Sequence, residues 1–148
     1  MAGYKHILIT SDLSPASLIL GHKAQDLAQL YGAKLSILHV IEFSPLLYGS
    51  GEFAIPVDLD LEAQLEKEAK EHIAQIATEL NLDNKSQWVL IGNKREEIVK
   101  LSKEIAIDLI VVGAHDKHGL SLLFSSTADS ILHALPCDIL AIRIENKE

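Results

Sequence analysis

Lys5-His6-Ile7-Leu8-Ile9-Thr10-Ser11-Asp12-Leu13-Ser14-Pro15 is the stretch from which the fold can be worked out. Lys5–Ser11 reads as a strand whose centre is continuously apolar, the pattern of a strand covered on both faces. Ser14-Pro15 then has the form of an N-cap followed by proline at the first helical position. Leu20, Ala24, Leu27, Ala28 and Tyr31 recur at helical spacing, and Gly32 stands where a left-handed C-terminal cap is expected. A buried strand that turns directly into an amphipathic helix is the opening of a βαβ unit.

The same alternation continues. Lys34–Ile41 is a second strand, Gln87–Ile91 a third, Asp108–Gly113 a fourth and Cys137–Ile144 a fifth. Leu61, Leu65, Ala69, Ile73, Ile76 and Leu80 mark a helix after a long connection from Glu42 to Asp60, with Glu66 and Lys70 paired one turn apart. Asn93-Lys94-Arg95-Glu96 has capping-box form and opens a helix to about Ile105. A last helix, capped near Ser126, runs to about Leu135 and is stopped by Pro136. The chain of 148 residues is therefore expected to form one α/β domain. Its architecture is a three-layer open sandwich, a five-stranded parallel sheet with helices on both faces. In such sheets ligands sit beyond the C-terminal strand ends, near the point where strand order reverses. That rule gathers Ser11-Asp12, His39-Val40 and Gly113–Thr127 around one crevice.

Composition excludes several partners. Lys and Arg number 13 against 21 Asp and Glu, a net charge of −8, and no basic run exceeds Lys94-Arg95. Nucleic acid and anionic lipid both demand clustered cations, so neither is expected to bind. The opening lacks the apolar core of a signal peptide, and no apolar run approaches the ~20 residues of a membrane span. A cytoplasmic protein is expected. Cys137 is the only cysteine, so no internal disulfide can form, and its place at a strand start suggests an inert small hydrophobe.

Catalytic signatures are missing. The chain has neither a nucleophile elbow nor a lysine-bearing phosphate loop. Gly49-Ser50-Gly51-Glu52-Phe53-Ala54 matches the dinucleotide spacing, but no strand feeds it and Pro56 follows it. His115 and His118 lie three residues apart with Asp116 between them, but spacing fixes no third strong ligand, so no metal site is expected. A receiver domain would need an acidic pair after strand one and an aspartate after strand three. Ser11-Asp12 and Gly92-Asn93 stand there instead.

Gly113-Ala114-His115-Asp116-Lys117-His118-Gly119, then Leu120–Phe124, then Ser125-Ser126-Thr127, joins a strand to a helix. Such a turn can offer backbone N–H groups to a phosphate. This segment resembles the nucleotide loop of the universal stress protein family, in which two residues separate a first glycine from a second. Eight or nine more precede a third glycine and a Ser or Thr. Gly113 and Ser126 match, whereas Asp116 and Ser125 replace the second and third glycines. Tyr4–Ile9 with Asp12-Leu13-Ser14, Ala33–Val40 and Cys137–Ile142 resemble the same family in the same order, so the likeness covers nearly the whole chain.

The resemblance implies an adenine nucleotide alpha hydrolase-like fold. It also implies a homodimer through the last strand, Asp138 to Ile144, and action in stress response through that dimer and an unidentified protein partner. ATP-binding members hold adenine near the second strand end, ribose near the first-strand aspartate and phosphates on the glycine loop. The candidate crevice here is accordingly Asp12, Val40, Gly113, Asp116, Ser125, Ser126 and Thr127. Members without the glycines are not expected to bind ATP, so no cofactor and no enzymatic activity are expected. The alternative is a switch or slow ATPase that takes ATP or AMP with magnesium. Asp116 would repel a phosphate about 4 Å away by roughly 1 to 4 kcal/mol unless magnesium bridged them. Asp12 has two readings, as an acceptor for ribose hydroxyls or as a loop residue that binds its own backbone. His39, at a strand end, is expected to be a hydrogen-bonded structural residue.

Overall fold

The computed structural model describes residues 3–42, 59–114 and 135–144. Five strands, β1 (His6–Thr10), β2 (Lys34–Ile41), β3 (Gln87–Ile91), β4 (Leu109–Ala114) and β5 (Asp138–Arg143), form one sheet in the order β3-β2-β1-β4-β5. Every neighbouring pair is parallel. The helices are α1 (Ala16–Tyr31), α2 (Leu59–Glu79) and α3 (Lys94–Glu104), and a 3₁₀ turn (Asn84–Ser86) leads into β3. Strand order reverses at β1, which has β2 on one side and β4 on the other. The helix expected between Ser126 and Leu135 and most of the Glu42–Asp60 connection lie outside the described residues. The end of that connection, Leu59-Asp60, already belongs to α2.

The period of two along each strand sorts the core into two layers. Ile7, Ile9, Leu35, Ile37, Leu109, Val111 and Ile142 pack against Leu20, Ala24 and Ala28 of α1 and Ile73 and Ile76 of α2. Leu8, Leu38, Val40, Ile110 and Val112 face the other way, against Ile98 and Leu101 of α3. Ile7, Leu8 and Ile9 are all fully buried, which a strand achieves only with helices on both of its faces.

Helix ends follow local chemistry. Gly32 adopts φ 65°, and Ala33 N–H reaches back to Ala28 C=O at 2.8 Å, closing α1 in a Schellman motif. Asn81 and Ala106 hold the same left-handed position after α2 and α3, where Leu82 N–H binds Ala77 C=O and Ile107 N–H binds Ser102 C=O. Asn93 Oδ1 accepts from Arg95 N–H and Glu96 N–H, both at 3.1 Å, as its capping pattern requires. The Glu66–Lys70 pair forms at 2.9 Å.

Ser14 departs from expectation. Pro15 is already helical in its backbone, but the Ser14 hydroxyl makes no capping bond and is buried without a partner. The Ser17 N–H, which a Ser14 hydroxyl cap would take, donates to Ser14 C=O at 3.0 Å instead.

At the N-terminal ends of the strands, both oxygens of Asp108 accept backbone N–H groups, from Lys5 at 2.8 Å and His6 at 3.0 Å. This clamp aligns the start of β1 with β4. His6 bridges Ser36 Oγ at 2.7 Å and Ile105 C=O at 3.1 Å, tying β1 to β2 and to the end of α3.

Candidate functional site

The crevice forms where the sheet reverses. Asp12 follows the end of β1 and Gly113 lies near the end of the adjacent β4, so the topology brings these two expected residues to one place. Asp116, Ser125, Ser126 and Thr127, together with His115 and His118, lie outside the described residues.

The turn from β1 into α1 is built from its own side chains. Ser11 is buried, its N–H donates to Leu38 C=O at 2.8 Å, and its hydroxyl accepts from Leu13 N–H at 3.0 Å. The Ser11 and Ser17 hydroxyls share a hydrogen bond of 2.7 Å. Asp12 Oδ1 accepts from Ser14 N–H at 2.9 Å and from Ser17 Oγ at 3.4 Å. Leu13 sits at φ 65°, a left-handed conformation that costs an L-residue roughly 1 kcal/mol or more. Two side-chain acceptors close to its backbone hold it there.

Asp12 therefore does what a loop aspartate does for its own backbone, while its carboxylate remains exposed to solvent at the crevice.

Val40 and Gly113 play parts the spacing alone did not reveal. The Val40 side chain is buried in the layer under α3, so only its backbone could meet a ligand. Gly113 faces α1 instead. A β-carbon there would stand 3.3 Å from Leu20 Cδ1 and 3.5 Å from Ile144 Cγ1. The missing side chain lets α1 lie close to β4, a packing reason for glycine that holds with or without a phosphate.

His39 is the residue whose part in the crevice was not foreseen. It is hydrogen-bonded, as its strand-end position suggested: Nδ1 lies 2.8 Å from Ser11 C=O. A carbonyl can only accept, so Nδ1 carries the proton. Burial pushes the imidazole below its ordinary pKa, aided by Lys94 and His72 and opposed by the Ser11 bond and Asp12. The sequence signal was the histidine just before the end of the run Leu35–Val40.

Cys137 precedes β5 rather than starting it and is half-buried, and burial pushes its thiol up to about 11. It is protonated at neutral pH and a poor nucleophile. Among the described residues no cluster of metal-ligating side chains occurs, and no helix is long and apolar enough to cross a membrane.

Comparison with known proteins fits this geometry. The profile of the universal stress protein family matches residues 3–143. Universal stress protein A homolog 1 of Coxiella burnetii is 41% identical over 94% of this chain and 96% of its own length. Among solved structures, a universal stress protein UspA from Lactobacillus plantarum superposes with TM-score 0.62 at 27% identity, covering 97% of this chain and 100% of that one. A universal stress protein crystallised in complex with cAMP superposes with TM-score 0.58 at 21% identity, covering 95% of this chain and 98% of that one.

Proposed function

The chain belongs to the universal stress protein family, and from that premise we propose that it is a cytoplasmic stress-response protein acting as a homodimer joined through β5. It works through that dimer and a protein partner, without robust ATP binding and without catalysis. The observation that carries this reading is the position of β5 at the sheet edge with Leu140 and Ala141 exposed. An edge strand bearing apolar residues offers unpaired backbone groups to another copy of itself. A two-fold axis would set two β5 strands side by side and antiparallel.

The backbone direction supplies a specific test. Asp138 N–H points to Asp108 C=O of β4, so by alternation the N–H of Ala141 points outward. Ala141→Pro would remove one outward donor and leave the β4 ladder whole, since proline is tolerated on that side of an edge strand. The expected result, by light scattering at micromolar concentration, is a folded monomer from the variant and a dimer from the unchanged chain. Two dimers, or two monomers, would contradict the assignment.

The loss of two glycines argues against a firm nucleotide grip. Asp116 brings a negative charge and Ser125 a side chain to positions where relatives need neither. A second reading, an ATP- or AMP-binding switch or slow ATPase, draws support from Asp12 and Gly113 flanking the reversal point and from the cAMP complex of a family member. Calorimetric titration with ATP and magnesium separates the two. Millimolar or absent affinity favours the first, and micromolar affinity that weakens in Asp12→Ala favours the second. Under the first reading, Asp116→Gly combined with Ser125→Gly strengthens ATP binding.

A further inference from the structure

We infer that His39 is the positioning residue of the crevice: its Nδ1–H donor on Ser11 C=O sets the orientation of the Ser11–Asp12 peptide and, through it, the direction of Asp12. The register of β1 with β2 stops at Thr10↔Leu38, one residue before this peptide. Beyond that point the Ser11 carbonyl is held from β2 by an imidazole 2.8 Å away. The carbonyl and the Asp12 N–H belong to one planar unit, so fixing the first fixes the second. Everything that shapes the turn hangs from it. Ser11 Oγ takes Leu13 N–H, Asp12 Oδ1 takes Ser14 N–H, and Leu13 is kept at positive φ between them.

The donor suits this work. Ser11 is buried, so its carbonyl, if abandoned, would have to turn away to find another partner. An imidazole anchored on a central strand is a rigid arm, and its protonated Nδ1 has no competing acceptor role. The positioning role stands on this geometry alone. That the positioned carboxylate serves a ligand rests on the nucleotide reading above.

Two variants and one direct observation test the inference. The ¹⁵N spectrum of the unchanged protein should show His39 as the Nδ1–H tautomer at neutral pH, which needs no mutation. His39→Leu removes the donor, whereas His39→Asn places an amide N–H near the site of Nδ1. In His39→Leu the Leu13 and Ser14 amides should exchange at least about tenfold faster, with Ile9 and Ala24 unchanged, and His39→Asn should restore most of the protection. An Nε2–H tautomer would overturn the inference. So would protection that falls equally across β1 and α1, or that does not change at the turn. AMP added to the unchanged protein, followed on the Asp12 and Leu13 amides, tests the nucleotide reading separately. Silence there removes that reading and leaves the exchange result to decide His39.

Discussion

Ala106 follows α3 in a left-handed conformation at φ 55° and is exposed to solvent, so little burial offsets the strain. Ala106→Gly should stabilise the protein by about 1 kcal/mol, raising its thermal midpoint by a few degrees in a melting curve. The opposite holds at Gly113, where a β-carbon would press on Leu20 and Ile144. Gly113→Ala should destabilise by roughly 1 kcal/mol through overpacking, visible in a denaturant titration, even with no ligand present. That outcome would show how one glycine answers both a family motif and a packing need. The motif was legible in the chain, but the packing need was not, because Leu20, Gly113 and Ile144 are brought together only by the sheet order.

Elements were legible where a single face of regular period is buried. β2 and β3 have the bounds their apolar runs suggest, and α1 ends at Gly32 because only a left-handed residue closes its last turn without strain. Boundaries slipped by a residue at β1, β4 and β5: Lys5 and Ser11 flank β1, β4 begins after Asp108 and runs on to Ala114, and β5 is shorter by one residue at each end. The start of α1 was misjudged in chemistry rather than place. A serine before a proline suggests a hydroxyl cap, whereas the Ser17 N–H donates to Ser14 C=O and Ser14 Oγ is left without a partner. The proximity of Asp12 and Gly113 was readable for the same reason: both sit near ends of strands that the sheet order sets side by side. His39 was readable as a hydrogen-bonded residue but not as the arm on Ser11, since a cross-strand contact has no signature along the chain. Asn93 is the clearest case of local chemistry acting alone, its side-chain oxygen taking the Arg95 and Glu96 N–H groups at the start of α3. Asn93→Ala should cost about 1 kcal/mol, and hydrogen exchange should speed first at the Arg95 and Glu96 amides.

At the scale of the molecule, two histidines held below their ordinary pKa link stability to pH. His6 is depressed chiefly by burial and secondarily by Lys34, and His39 chiefly by burial. The unfolded chain therefore binds protons on these groups more readily than the folded one. Stability is fully present above the unfolded value of about 6.5 and is lost as pH falls below it through the lower folded values. Chemical denaturation between pH 7.5 and 5 should show this decline, and His6→Asn or His39→Asn should flatten it. A decline of the same slope in both variants would place its origin elsewhere. Among the described residues the sheet has two edge strands, β3 and β5, and the proposed homodimer joins two copies of β5. Sedimentation equilibrium of the unchanged chain from about 1 to 100 μM is the most direct measurement of it. The account predicts one species of twice the chain mass over most of that range, and a stable monomer throughout would contradict it.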